Sequence, residues 1–142
     1  MKKSKLLELP RPSSAVIDGP HLCTEGADLR LAMDFDDDGR IVSSVVSFVR
    51  QRAFRKRSEA YCAAWHVAGT FDTVCEVQDS DWVKELRRDS TLAGRDPWVM
   101  RHFIIYVDSF GCLEVVAESV GLDVGVKNSG GTWSVNQTPL SA

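Results

Sequence analysis

Long apolar runs, paired metal-ligand motifs and signatures of catalysis are all missing from this 142-residue chain. No apolar stretch approaches the roughly 20 residues that a membrane span needs, so no spanning helix is expected. The lysines of Met1-Lys2-Lys3-Ser4-Lys5 imitate the start of an export signal. Glu8 cuts the apolar run that should follow and Pro10 ends it, so no export signal is read. The expected compartment is the cytosol, where the four cysteines stay free thiols. There is no C-x-x-C and no H-x-x-x-H. Cys62 and His66 stand four apart, which on a strand separates them by roughly 13 Å, too far to share one tetrahedral ion. G-x-S-x-G is absent, and Gly130-Gly131 is not followed by the lysine and helix of a phosphate loop. No metal and no cofactor is expected. No solenoid-type repeat is visible.

What is present is a body of ordinary single-domain size and composition, 44% hydrophobic and 26% charged. The net charge of −3 implies no partner by itself, but it hides an asymmetry. Arg50, Arg52, Arg55, Lys56 and Arg57 place five cations within eight residues, and the rest of the chain carries −8.

The most ambiguous stretch is Asp34-Phe35-Asp36-Asp37-Asp38-Gly39-Arg40-Ile41. Asp34, Asp36 and Asp38 stand where a calcium loop puts its first ligands, and Gly39 where such a loop turns. The twelfth position of that loop should carry a bidentate carboxylate and is Val45. The flanks alternate with a period of two, as strands do and helices do not. Folding the chain at Asp38-Gly39 sets Phe35 opposite Val42, Leu31 opposite Val46 and Leu29 opposite Phe48, with Met33–Ser44 the one weak pair. The apolar face and the turn agree on one register, so a β-hairpin is expected.

Elsewhere, Tyr61–Val67 and Phe71–Val77 read as two strands joined at Gly69. Asp79-Ser80-Asp81 offers helix-cap chemistry ahead of Trp82, Val83 and Leu86, which predicts a short helix over about 80–89. Val99–Val107 and Cys112–Val120 form a hairpin apolar on both faces and should be the centre of the sheet. Pro10, Pro12, Gly19, Pro20 and Gly26 suggest an irregular N-terminal arm over 1–27. The globular domain is then 28–122, with a loose tail over 123–142. The fold expected is α+β, mainly β: an antiparallel sheet of about six strands, one short helix and irregular termini.

Function is read from surface chemistry. The basic segment, with Phe54 among its cations, and Trp98, following Pro97, are the candidate partner-binding residues: Arg50, Arg52, Phe54, Arg55, Lys56, Arg57 and Trp98. As one strand, the segment would carry Arg50, Arg52, Phe54 and Lys56 on one side. Cations around an aromatic also suit nucleic acid, although the net acidity argues against a dedicated binder. A small hydrolase or ligand-binding enzyme would have to use His66 with Asp72 across the expected hairpin, or His102. The reading favoured by the residues is a non-catalytic binding domain whose partner is another protein.

Overall fold

The computed structural model describes residues 2–92, 98–127 and 133–140. The chain runs β1 (Lys3–Glu8), β2 (Val16–Glu25), β3 (Asp28–Asp37), β4 (Arg40–Val49), β5 (Ala53–Arg57), α1 (Ala64–Val67), β6 (Thr73–Val77), α2 (Asp81–Leu92), β7 (Arg101–Val107), β8 (Gly111–Ala117), β9 (Ser119–Lys127) and β10 (Trp133–Leu140). Among the described residues the strands form two five-stranded sheets with antiparallel pairing. Sheet A has the order β1-β6-β7-β8-β5 and sheet B the order β10-β9-β4-β3-β2. Among the described residues no helix is long and apolar enough to cross a membrane.

Alternation builds the core. Leu29, Leu31, Met33 and Phe35 of β3 and Val42, Val46 and Phe48 of β4 point one way. They meet Phe103, Ile105 and Val107 of β7 and Leu113 and Val115 of β8 in one apolar cluster between the sheets. The rings of Phe48 and Phe103 lie 6.1 Å apart across that interface. The hairpin at Asp38-Gly39 pairs Phe35 with Val42, Met33 with Ser44, Leu31 with Val46 and Leu29 with Phe48. Positive φ at both Asp38 (53°) and Gly39 (87°) is what a two-residue turn of this hand requires. As expected, β7 and β8 are central, and α2 covers a turn more than 80–89.

Four expectations are corrected. The sheet is two sheets, because the termini supply strands. Residues 1–27 are not an irregular arm: β1 pairs with β6 and β2 with β3. Pro10 and Pro12 fall between these strands, and Pro20 sits where the β2 register shifts, at a sheet edge that needs no N–H from it. The stretch 123–127 is strand, and β10 follows along residues 133–140, so the tail is not loose there. Asn128-Ser129-Gly130-Gly131 lies outside the described residues. Finally, Tyr61–Val67 is not a strand. Residues 59–61 form a 3₁₀ turn and 64–67 a single helical turn. The place beside β6 that such a strand would need is taken by β1. Lys3 of β1 then holds α1, donating to the carbonyls of Trp65 and Ala68 with its ammonium 4.3 Å from the Trp65 ring.

Candidate functional site

Two constellations bring charged and aromatic side chains together. The first lies under α2. Because Phe103, Ile105, Leu113 and Val115 face the core, the same alternation turns His102 and Glu114 to the opposite face. Glu114 is paired across β8–β5 with Arg55, whose Nε and Nη2 donate to its two carboxylate oxygens at 3.0 and 3.2 Å. His102 Nε2 lies 2.8 Å from Glu114 Oε1, and His102 Nδ1 lies 2.7 Å from Ser80 Oγ. Ser80 Oγ also accepts the Val83 N–H at 3.1 Å, the bond of a helix N-cap. The Nε2–H tautomer satisfies every one of these contacts: the Ser80 hydroxyl donates to Nδ1 and Nε2–H donates to Glu114. The Trp82 and His102 rings meet in a T-shape with centres 5.2 Å apart, and the Arg55 guanidinium lies 4.0 Å from the Trp82 ring.

Burial by itself would push the Glu114 carboxyl up. Hydrogen bonds from His102 and Arg55, together with the Arg55 charge, outweigh it and hold the carboxyl down at about 2. Serine, histidine and glutamate in this order have the connectivity of a nucleophile, base and carboxylate. Yet Ser80 is only 6% exposed and His102 only 1%. The neighbouring cleft of about 350 Å³ is lined by Arg55, Asp81, Trp82, Glu85, Arg88 and His102, and Ser80 is not among them. The arrangement fixes the start of α2 to the middle of the sheet. Sequence reasoning found Ser80 as a cap and His102 as a candidate, but not Glu114. The signal was a lone carboxylate inside an otherwise apolar strand.

The other expected pair, His66 with Asp72, does not form. His66 Nδ1 accepts the Ala63 N–H at 2.9 Å inside α1, and burial, then the charge of Arg57, lowers its pKa. Asp72 accepts the Ser13 N–H at 3.0 Å and so serves the N-terminal segment. Their expected hairpin does not exist, because residues 61–67 do not run beside β6. Of the three aspartates, Asp34 accepts the Ser43 hydroxyl at 2.6 Å across the hairpin. Among the described residues no group of three or more histidine, cysteine or carboxylate side chains could hold a metal ion.

The second constellation is the basic segment and its surroundings. It is not one strand. Arg50 has φ of 50° and closes β4, its N–H donating to Asp28 at 2.9 Å. Arg50 and Arg52 both reach Glu118, each at 3.2 Å. Of the four residues expected on one side, Arg50 and Arg52 precede β5 and turn to Glu118. Phe54 and Lys56 share the face of their β8 partners Val115 and Leu113, while Arg55 faces Glu114. The Arg52 guanidinium lies 4.4 Å from the Trp98 ring. Trp98 and Val99 are 44% and 49% exposed. Two clefts meet at Trp98: one of about 440 Å³ with Arg50, Arg52, Val99 and Glu118, and one of about 450 Å³ that adds Leu86 and Met100. Phe54 is 44% exposed.

Comparison with family models, curated proteins and solved structures finds no match to this chain.

Proposed function

We propose that this is a non-catalytic cytosolic domain that binds another protein through the corner formed by Arg50, Arg52, Trp98 and Val99 and the adjoining strand β5. One observation carries the reading: a large aromatic and a valine stand exposed side by side, stacked by a guanidinium and flanked by two clefts. Tryptophan and arginine next to a pocket are the composition of binding hot spots. The cations there are already oriented by Glu118, so less side-chain freedom is lost when a partner arrives.

The test is affinity capture from a native lysate by the full chain and by its Trp98→Ala/Val99→Ser variant. The wild type should retain a specific protein that the variant loses. Identical sets of retained proteins would sink the reading.

A second reading rests on the Ser80–His102–Glu114 chain beside a cleft, which would suit a small hydrolase. It requires Ser80 to abandon its helix cap and reach solvent. Ester hydrolysis by the wild type that vanishes in Ser80→Ala, with the fold intact, would favour it. Nucleic-acid contact draws less support, because Arg50, Arg52 and Arg55 each meet a carboxylate of the chain itself. Reversing the charge of Arg50, Arg52 and Arg55 should leave polynucleotide retention unchanged.

A further inference from the structure

We propose that the outer edge of β5 receives an extended acidic segment of the partner as a sixth strand of sheet A. The inference rests on the protein-binding reading and adds the chemistry of the partner. Among the described residues β5 ends its sheet, pairing with β8 alone, and Phe54 through Arg57 are exposed. An edge strand presents unpaired N–H and C=O groups at regular spacing, which is the template for strand addition. The other edges are less regular. β1 shifts register between Lys5 and Leu7, and β2 shifts twice, around Asp18. β10 contains Pro139, which has no N–H. β5 keeps five consecutive pairs with no shift, from Ala53–Val116 to Arg57–Cys112. Five residues give an edge of roughly 17 Å, long enough for a short segment.

Charge selects the occupant. Arg50, Arg52 and Arg55 have carboxylate partners, whereas among the described residues Lys56 and Arg57 have none. Lys56 stands 4.5 Å from the Phe110 ring, and Arg57 donates to the Tyr61 carbonyl at 3.3 Å. Two cations without carboxylates, one on each face of β5, lie next to an exposed phenylalanine. A neighbouring strand sets its side chains directly beside these residues, where opposite charges attract and like charges repel. Acidic residues beside Lys56 and Arg57 and an apolar one beside Phe54 complete the pattern. Cations on an edge are a common guard against indiscriminate pairing. Here the same cations repel a basic strand and attract an acidic one.

The experiment uses the full chain and a fluorescent ten-residue peptide of Val and Thr around a central Glu-Glu-Thr-Phe, which in antiparallel pairing sets the two acids beside Arg57 and Lys56 and the ring beside Phe54. Two controls replace its acidic residues with lysine or introduce two prolines. Anisotropy should report binding of the acidic peptide at least tenfold tighter than either control, weakening as salt is raised. Hydrogen exchange should show new protection of the amides within 53–57. The Lys56→Glu/Arg57→Glu variant, with an unchanged melting temperature, should lose at least tenfold in affinity. No binding, equal binding of the lysine or proline peptide, or binding with no added protection on β5 would each overturn the proposal. A captured protein lost by Trp98→Ala/Val99→Ser but kept by Lys56→Glu/Arg57→Glu would overturn it while leaving protein binding intact.

Discussion

Glu114 is the residue whose surroundings make the sharpest statement about stability. Its carboxyl is held at about 2 in the folded chain against an ordinary 4.5, so the folded state prefers the ionised form. That preference stabilises the fold fully above the ordinary carboxyl pKa and is lost as pH falls toward 2. Thermal melts between pH 6 and pH 2 should show a loss across that window, and Glu114→Gln should flatten it. At neutral pH the same substitution should cost on the order of 2 kcal/mol, since charge-assisted bonds from His102 and Arg55 are weakened. Ser44 makes the opposite case. Its hydroxyl is buried in the apolar face of β4, and among the described residues Oγ has no hydrogen-bond partner. Ser44→Ala should therefore raise stability by about 1 kcal/mol in urea unfolding, by removing a buried polar atom that nothing compensates. The thiols differ by location. Cys23 is exposed, whereas Cys75 and Cys112 are buried. Burial pushes both of these thiols up, Cys112 to about 12. A maleimide followed by mass spectrometry should label Cys23 at once, and Cys75 and Cys112 only as fast as the chain opens.

At the scale of elements, the β3–β4 hairpin is the piece most directly written in the residues. A two-residue turn and a two-residue period prescribe the same pairing, so neighbours in sequence suffice to specify it. Phe35 is fully buried beside this turn. Phe35→Ala should cost about 4 kcal/mol by denaturant unfolding, the range for an aromatic removed from a packed core. A loss under 1 kcal/mol would mean that this end of the hairpin is not part of the core. The α2 cap was equally local: Ser80 precedes the helix and bonds the Val83 N–H. Residues 61–67 show the limit of such reasoning. The turn at Gly69 suggested a strand on either side of it, but a strand needs a vacant neighbour, and β1, nearly 60 residues earlier, holds that position. Similarly, the prolines and glycines of 1–27 do mark breaks. What they could not reveal is that the segments between the breaks find partners in β6 and β3.

At the scale of the whole molecule, both ends of the chain close the core. Leu7 and Leu9 from the start, and Val120 and Leu122 near the end, belong to the same cluster as Phe35 and Phe103. The exposed corner at Trp98 lies outside that cluster. Trp98→Ala/Val99→Ser should thus shift the melting temperature by only 1–2 °C, about what a surface substitution allows, while abolishing partner capture. A large drop in melting temperature would instead give this corner a structural role.

The amino-acid order by itself determined the mainly-β character, the hairpin at Asp38-Gly39, the start of α2 and the apolar central pair β7–β8, because each depends on residues a few positions apart. Tertiary structure alone decided the division into two sheets, the use of both termini as strands and the meeting of Ser80, His102, Glu114 and Arg55. It also decided which cations of the basic segment find carboxylates and which are left at an open edge. Those outcomes depend on which distant strands become neighbours, and pairing across long stretches of chain is selected by the burial of the whole core rather than by any local pattern.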